Sequence, residues 1–260
     1  MNNEIYKFLK FTNMLADEAR KISLKYFKKK IDVINKSKNE FDPVTIADTK
    51  IQLRLNELIV KNYPEHSVLG EEESLIKHNP YEWCIDPIDG TKSFIQGVPL
   101  WGTLISLSKR GNIILGVADI PALNERYVGY KNNAYKIVNG KKTKLKVSKN
   151  KKISKSILNT TSPYLFANKN DQKSFEKLGK RVRSIRLGGD CYSYCLLADG
   201  HVDIVVESGL NPWDIRALEP IIINAGGILK TWNNESIFTG GKIIACNNKE
   251  LFKICSKILN

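Results

Sequence analysis

The chain has 260 residues, 42% of them hydrophobic, and carries a formal net charge of +14 at pH 7. This length and composition suit one large globular domain or two fused halves, and no apolar run is long enough to span a bilayer. The N-terminus lacks the apolar core of a signal peptide, and the five cysteines form no C-x-x-C pair, so we expect a cytoplasmic protein with reduced thiols and no membrane partner.

The helical patterns come first in the chain. Apolar residues recur at helical spacing within residues 4–30, which predicts an amphipathic helix. A lysine-rich loop is predicted over 28–40 and a second helix over about 44–60. The loop 66–74 that follows contains Gly70-Glu71-Glu72.

Strand patterns replace them from Glu82 to Lys149, where Asn139-Gly140 marks a tight turn and predicts an antiparallel sheet. The second half alternates between predicted strands at 156–161, 182–186 and 202–207 and predicted helices at 171–180, 190–198, 213–225 and 251–259. We therefore expect a single domain over residues 1–260, built from two α/β-type halves of about 1–150 and 151–260.

The stretch from Lys141 to Lys155 contains eight lysines. Such a basic segment could bind nucleic acid. However, no aromatic residues that could stack on bases are interleaved with these lysines, and lysine is common on edge strands. A solvated hairpin edge is therefore the favoured interpretation.

The most informative stretch is Asp86-Pro87-Ile88-Asp89-Gly90-Thr91, which follows the apolar run Trp83-Cys84-Ile85. Two carboxylates three residues apart can converge on one point, the glycine permits close backbone approach, and the threonine can open a helix. Hard divalent cations prefer clustered oxygens, and a helix N-terminus can hold a phosphate. Together these features suggest phosphoryl chemistry.

Three further acidic segments contribute candidates: Glu71 in its loop, Asp48 near the start of the second helix, and Asp214 after Trp213 at the start of a later helix. Taken singly, each is an ordinary exposed residue or helix cap. The combination is stronger, because Asp86 follows an apolar strand and carboxylates are rarely buried without a partner.

The stretch from Trp83 to Phe94 resembles the first signature of the inositol monophosphatase family, and Pro212-Trp213-Asp214 with Ala225-Gly226-Gly227 resembles the second. Gly70-Glu71-Glu72 and the segment 44–48 match the family's two upstream elements, in the right order. Arg216 is a departure, since the second signature usually has a small residue there. This departure bears on the packing behind the site and on the branch of the family.

The resemblance implies a layered α+β or α/β fold, the αβαβα sandwich, and Mg²⁺-dependent hydrolysis of a phosphate monoester. It implies that two or three ions are bound. One would be held by Glu71, Asp86 and the backbone carbonyl of Ile88, and a second by Asp86, Asp89 and Asp214. A third, weaker ion would lie near Glu71.

The same resemblance implies roles for residues that touch water and phosphate. The Thr91 hydroxyl, hydrogen-bonded to Asp48, would orient the attacking water, and the N–H groups of Gly90 and Thr91 would hold phosphate oxygens. A lysine before the second helix, either Lys36 or Lys38, would approach the site.

The substrate is suggested by Gly188-Gly189-Asp190-Cys191-Tyr192, which is similar to the histidinol-phosphatase branch, as is the segment 94–104. Carboxylates at Asp190 and Glu207 would pair with the ammonium group of histidinol phosphate. Alternatively, Asp190 is a plain helix N-cap, and Glu207 could equally serve inositol hydroxyls. Tyr192 and Trp101 could stack on an imidazole, although aromatic residues at such positions more often belong to the core.

The sequence therefore predicts a Mg²⁺-dependent phosphatase acting on a small phosphorylated metabolite, with L-histidinol phosphate of histidine biosynthesis as the favoured substrate. The alternatives are inositol 1-phosphate or another small sugar or nucleotide phosphate. A basic nucleic-acid-binding protein is the more remote alternative. By the resemblance, we expect a homodimer.

Overall fold

The computed structural model describes residues 2–36, 41, 43–166 and 168–260. The first half begins with α1 (Asn2–Tyr26), β1 (Val33–Asn35), β2 (Pro43–Thr45) and α2 (Ile46–Asn62). A seven-stranded sheet follows, whose strands lie side by side in chain order: β3 (Ser67–Gly70), β4 (Tyr81–Asp89), β5 (Gly102–Lys109), β6 (Asn112–Ile120), β7 (Glu125–Tyr130), β8 (Asn133–Val138) and β9 (Lys141–Lys144). Helix α3 (Thr91–Gln96) connects β4 to β5. Strands β3 and β4 are parallel, and the other neighbours in this sheet are antiparallel.

The second half forms a five-stranded mixed sheet in the order β11-β10-β12-β14-β13. Its strands are β10 (Ile157–Thr160), β11 (Ser184–Leu187), β12 (Ile204–Leu210), β13 (Ile228–Thr231) and β14 (Gly241–Cys246). Its helices are α4 (Lys169–Gly179), α5 (Asp190–Ala198), α6 (Pro212–Ile215), α7 (Leu218–Asn224) and α8 (Lys249–Leu259). No helix in the described ranges combines the length and the apolar character needed to cross a bilayer.

Three hydrophobic clusters separate the layers. The first lies between α1, α2 and the seven-stranded sheet, the second between the two sheets around α5 and α7, and the third between the five-stranded sheet and α4 and α8. Strand β12 shows how one sheet contributes to two clusters, because alternate side chains of a strand point to opposite faces. Val205 packs in the second cluster, and Ile204 and Val206 pack in the third. This arrangement confirms the αβαβα sandwich, while the division into halves near residue 150 stays a prediction.

The prediction of one continuous helix over 213–225 is wrong, because two short helices, α6 and α7, occupy that segment. Pro220 lies in the first turn of α7, and a proline has no N–H to donate to the carbonyl four residues earlier, at Arg216. Arg216 is the residue that ends α6. Because of this break, the two helices pack in different places: α6 lies beside β4, and α7 lies between the two sheets.

The lysine-rich stretch begins in β9, an edge strand of the seven-stranded sheet in which all four residues are exposed. Asn139 and Gly140 form the turn before it and have positive φ. This placement agrees with the interpretation as a solvated hairpin edge.

Helix α7 approaches the seven-stranded sheet at two glycines. Gly116 of β6 and Gly129 of β7 are directly opposite each other. A Cβ atom at Gly116 would lie 2.0 Å from the carbonyl oxygen of Ala217, and one at Gly129 would lie 2.3 Å from the backbone nitrogen of Ile221. Contact between the halves therefore requires that no side chain be present at either position.

We predict that Gly129→Ala lowers the free energy of unfolding by about 3 kcal/mol, because the added methyl group would displace the backbone of α7. Urea denaturation followed by circular dichroism would measure the loss. Gly111→Ala is the control, since that residue has φ 74° but open space around its Cβ position. It should lose only about 1 kcal/mol, from backbone strain. Equal losses in the two variants would contradict the close contact.

Candidate metal centre

The carboxyl end of β4 supplies two acidic residues. The ladder with β5 pairs Asp86 with Leu104, is then interrupted, and resumes where Asp89 lies opposite Gly102. Gly90 follows with φ 84° and turns the chain into α3. A Cβ atom there would lie 3.0 Å from a carboxylate oxygen of Asp190, so the glycine is required for conformation and for space.

Asp86, Asp89 and Asp214 form an acidic cluster, in which one carboxylate oxygen of each lies within 4.8 Å of the other two. Asp214 is the third residue of α6, and its Oδ2 accepts a hydrogen bond of 2.6 Å from the N–H of Asn211. Asp89 Oδ2 accepts one of 2.6 Å from the N–H of Cys191, at the start of α5. Strand β4 and two helix N-termini from the second half thus converge on one point.

The electrostatics of this cluster suit a bound cation. Asp86 is 2% exposed, and its buried Oδ1 accepts no hydrogen bond from a described residue. Burial, reinforced by the charges of Glu71, Asp89 and Asp214, raises the pKa of Asp86 well above its ordinary value. Burial also raises the pKa of Asp214 to about 7, against the effect of its hydrogen bond from Asn211. Buried carboxylates are costly without a positive partner, and an all-oxygen donor set is the one that Mg²⁺ prefers.

Glu71 follows β3, and its N–H donates to the carbonyl of Ile85 in β4 at 3.2 Å. The Lys36 Nζ lies 2.7 Å from Glu71 Oε1 and 2.9 Å from Glu72 Oε1. Although partial burial lowers the pKa of Lys36, its ion pairs with the two glutamates raise it above the ordinary value. Lys36 is thus the described lysine that reaches the acidic residues, whereas Lys38 falls outside the described residues.

The predicted hydrogen bond between Thr91 and Asp48 is absent. The Thr91 hydroxyl donates instead to the carbonyl of Ile88 at 3.0 Å. Asp48 is the third residue of α2, and its Oδ2 accepts from the N–H and the hydroxyl of Thr45 at 2.8 and 2.5 Å, forming a capping box. Its Oδ1 is buried and accepts no hydrogen bond from a described residue, and burial raises the pKa of Asp48 to about 7.

A cavity of about 360 Å³ opens beside the cluster. Seven of the residues predicted from the sequence contribute to its wall: Glu71, Asp89, Gly90, Thr91, Asp190, Glu207 and Asp214. The other three, Asp48, Asp86 and Ile88, are buried behind it. Sequence reasoning missed several further wall residues, among them Thr161, Tyr194 and Ser208.

Asp190 does not cap its helix, so that alternative is wrong. Gly189 is the N-cap of α5, and Asp190 is the first helical residue, with φ 43°. Its Oδ2 accepts a hydrogen bond of 3.2 Å from the hydroxyl of Ser93, which ties α5 to α3. Burial raises the pKa of Asp190, although Ser93 and Lys92 oppose the shift.

Glu207 lies on β12, where it is 1% exposed. Its Oε1 accepts a hydrogen bond of 2.6 Å from the N–H of Thr161, and its Oε2 accepts one of 3.3 Å from the hydroxyl of Thr160. Burial raises the pKa of Glu207 to about 8 in spite of these bonds. Asp190 and Glu207 therefore add a second acidic region to the wall of the cavity, beside the acidic cluster.

The two aromatic residues considered for stacking on an imidazole, Trp101 and Tyr192, do not line the cavity. Trp101 is fully buried, with its ring centroid 4.8 Å from that of Phe94. The Tyr192 hydroxyl donates to Glu125 at 3.2 Å, and Tyr192 does not line the cavity. The core interpretation is therefore the right one for both.

Arg216, the departure from the second signature, is accommodated behind the site. Its Nη1 donates to Glu82 Oε1 at 2.6 Å, and its Nε donates to the carbonyl of Phe238 at 2.7 Å. The guanidinium also stacks on the Phe238 ring at 3.6 Å. Because its hydrogen bonds point to β4 and to Phe238, the large side chain does not enter the cavity.

The family model described as inositol monophosphatase family matches residues 4–259. The bifunctional phosphatase IMPL2, chloroplastic, of Arabidopsis thaliana is 40% identical over 242 residues, covering 90% of this chain and 67% of that protein. The histidinol-phosphatase of Chlorobaculum parvum is 33% identical over 237 residues, covering 90% of each. Among solved structures, an inositol monophosphatase from Zymomonas mobilis has 33% identity and a TM-score of 0.86, covering 98% of each chain.

We predict that Asp86→Asn raises the thermal midpoint in EDTA by about 3 °C, because a buried charge without a partner is removed. Saturating Mg²⁺ should stabilise the wild type by about 2.7 kcal/mol at 100 times the dissociation constant, and the variant by less than half of that. Differential scanning calorimetry with and without MgCl₂ would test both.

Asp171→Asn is the matched control, since Asp171 lies on α4, pairs with Lys242 of β14 and does not line this cavity. This variant should retain the full Mg²⁺ response. If Asp86→Asn retained it as well, Asp86 would not be a ligand.

Proposed function

The chain belongs to the inositol monophosphatase family, whose members are metal-dependent phosphatases of small phosphorylated substrates, and we propose that its own substrate is L-histidinol phosphate. The observation that carries this proposal is the acidic region of Asp190 and Glu207 in the wall of the cavity. Relatives named histidinol-phosphatase, from Chlorobaculum parvum and Mycobacterium tuberculosis, are each 33% identical to the chain over about nine tenths of its length.

The acidic region is suited to a substrate that carries a positive charge. Histidinol phosphate has an ammonium group and an imidazole, and an ammonium forms its strongest hydrogen bonds with carboxylates. The pKa values of Asp190 and Glu207 are raised because both groups lie in a poorly hydrated wall. A cationic ligand would favour their ionised forms, whereas a neutral sugar ring would leave the desolvation cost in place.

We assign the metal-holding role to the backbone carbonyl of Ile88 and to the side chains of Glu71, Asp86, Asp89 and Asp214. Bound Mg²⁺, as two or three ions, would neutralise phosphate charge and lower the pKa of a bound water. The N–H groups at the start of α3, at Gly90 and Thr91, lack intrahelical acceptors and line the cavity, so we assign them to phosphate oxygens.

We assign Thr91 and Asp48 to the attacking water as two separate contacts, since the two side chains do not form a hydrogen bond with each other. The Thr91 hydroxyl donates to Ile88, so its lone pairs are free to accept a hydrogen bond from water. Asp48 keeps one buried oxygen that accepts no hydrogen bond from the part of the chain that the structure describes, which suits a group that accepts from water or receives its proton. The carbonyl of Ile88 has a second lone pair and can still bind a cation.

Inositol 1-phosphate or another sugar phosphate is the second candidate. A protein named fructose-1,6-bisphosphatase/inositol-1-monophosphatase, from Thermotoga maritima, is 30% identical over 233 residues. Glu207 could accept hydrogen bonds from ring hydroxyls as readily as from an ammonium. Asp190 is the residue that distinguishes the two candidates.

We also propose a homodimer in a reducing, cytoplasmic compartment. The compartment is supported by the five cysteines, which are all buried and unpaired. The dimer rests on the family resemblance.

We predict that kcat/KM for L-histidinol phosphate exceeds that for inositol 1-phosphate by roughly 30-fold, the ratio expected for one additional hydrogen-bonded ion pair of about 2 kcal/mol. Phosphate release from a panel of esters in MgCl₂ would measure the ratio. Activity should be lost in EDTA and restored by Mg²⁺. A preference for inositol 1-phosphate would overturn the substrate and leave the phosphatase class intact.

We predict that Asp190→Asn raises KM for histidinol phosphate about 10-fold, because the charge is lost while the amide oxygen can still accept from Ser93. A neutral ester such as glycerol 1-phosphate should change by less than 2-fold. The two esters measured on one enzyme preparation form an internal control. Equal losses on both would show that Asp190 serves the α3–α5 contact alone.

A further inference from the structure

The Tyr194 side chain is buried in the wall of the cavity. It is 2% exposed, and its hydroxyl oxygen makes no hydrogen bond to a described residue. Buried tyrosine hydroxyls usually have a partner, because an unpaired polar group in the interior loses its hydration without compensation. Tyr194 is one of the residues that line the cavity, so we consider a ligand bound there as the partner of this hydroxyl.

The charged groups that act most strongly on Tyr194 are carboxylates. Burial, followed by the charges of Glu207, Asp89 and Asp214, raises the pKa of its hydroxyl well above the ordinary value. The phenol therefore remains neutral under working conditions and can both donate and accept. Tyr194 lines the same cavity as Asp89, Asp214, Asp190 and Glu207.

Helix α5 orients this side chain. Asp190 and Tyr194 are four residues apart and share one helical face, and both line the cavity. Tyr192 lies on the opposite face, where its hydroxyl donates to Glu125 and its ring contacts Tyr127. One helix thus carries two tyrosines, one paired within the protein and one unpaired at the cavity.

We propose that Tyr194 is a specificity residue, whose hydroxyl forms a hydrogen bond with a polar group on the alcohol part of the phosphate ester. The inference rests on the proposed function, since it takes the cavity to be the ester site. It does not require the ester to be histidinol phosphate, because a phenol oxygen can accept from an ammonium group or exchange hydrogen bonds with a hydroxyl.

Tyr194→Phe removes one oxygen atom and tests the proposal in two ways. In the free protein the thermal midpoint should stay unchanged or rise, because an unpaired buried hydroxyl is removed. With the preferred ester of the panel, kcat/KM should fall about 10-fold, mainly through KM. With methyl phosphate, whose alcohol part has no polar group, kcat/KM should change by less than 2-fold.

Tyr192→Phe is the matched control. It removes the same atom from a hydroxyl that has a partner, so it should lower the thermal midpoint and leave the ratio of kcat/KM values between esters unchanged.

Two results would overturn the inference while the enzyme remains a phosphatase. Tyr194→Phe could leave the preferred ester unaffected, or it could lower the thermal midpoint as much as Tyr192→Phe does, which would reveal a partner within the protein. A wild type that prefers inositol 1-phosphate would overturn the proposed substrate alone, and Tyr194 would then be tested on that ester. A wild type that hydrolyses no ester of the panel would overturn the proposed function, and with it this inference.

Discussion

The constraint on which this structure depends is the repulsion among carboxylates that are held close together at the junction of two sheets. Asp86, Asp89 and Asp214 would separate in a flexible chain, and each is fixed by an element whose own packing is apolar. Two of them accept short hydrogen bonds from backbone N–H groups at helix N-termini, at Cys191 and Asn211. Such charge-assisted bonds offset part of the desolvation cost, and a divalent cation would offset the rest.

Helix capping and site formation are not alternatives at Asp48 and Asp214. An aspartate at the third position of a helix closes a capping box with one oxygen, as Asp48 does in α2 and Asp214 does in α6. A carboxylate has two oxygens, so the second remains available to the cavity or to the buried space behind it. For these two residues, helix capping therefore accounts for one carboxylate oxygen, and the second oxygen is left for the site.

Sequence reasoning succeeded where a signal is local. The apolar run before Asp86, the glycine at 90 and the acidic residues at helix starts are visible in the chain. The structure brings Gly90, Asp190 and Asp214 to the wall of one cavity, while Asp48 and Asp86 are buried and do not line it. It failed where contacts between distant parts of the chain determine the local structure. The donation from the Cys191 backbone to Asp89 and the position of the unpredicted strand β14 beside β12 depend on neighbours that are remote in sequence. Tyr194 could have been found, because it lies one helical turn after Asp190.

The two ends of the cavity come from different parts of the chain, and this explains why the reaction class is easier to infer than the substrate. The end that we assign to phosphate is built from β4, α3 and α6, whose residues are constrained by charge and by the need for glycine at position 90. The end that we assign to the alcohol part of the ester is built from α5 and β12, which carry Asp190, Tyr194 and Glu207. The hydrogen bond from Ser93 to Asp190 is a direct link between the two ends. A change of substrate within this fold can therefore arise on one face of α5, while the backbone donation from α5 to Asp89 stays in place.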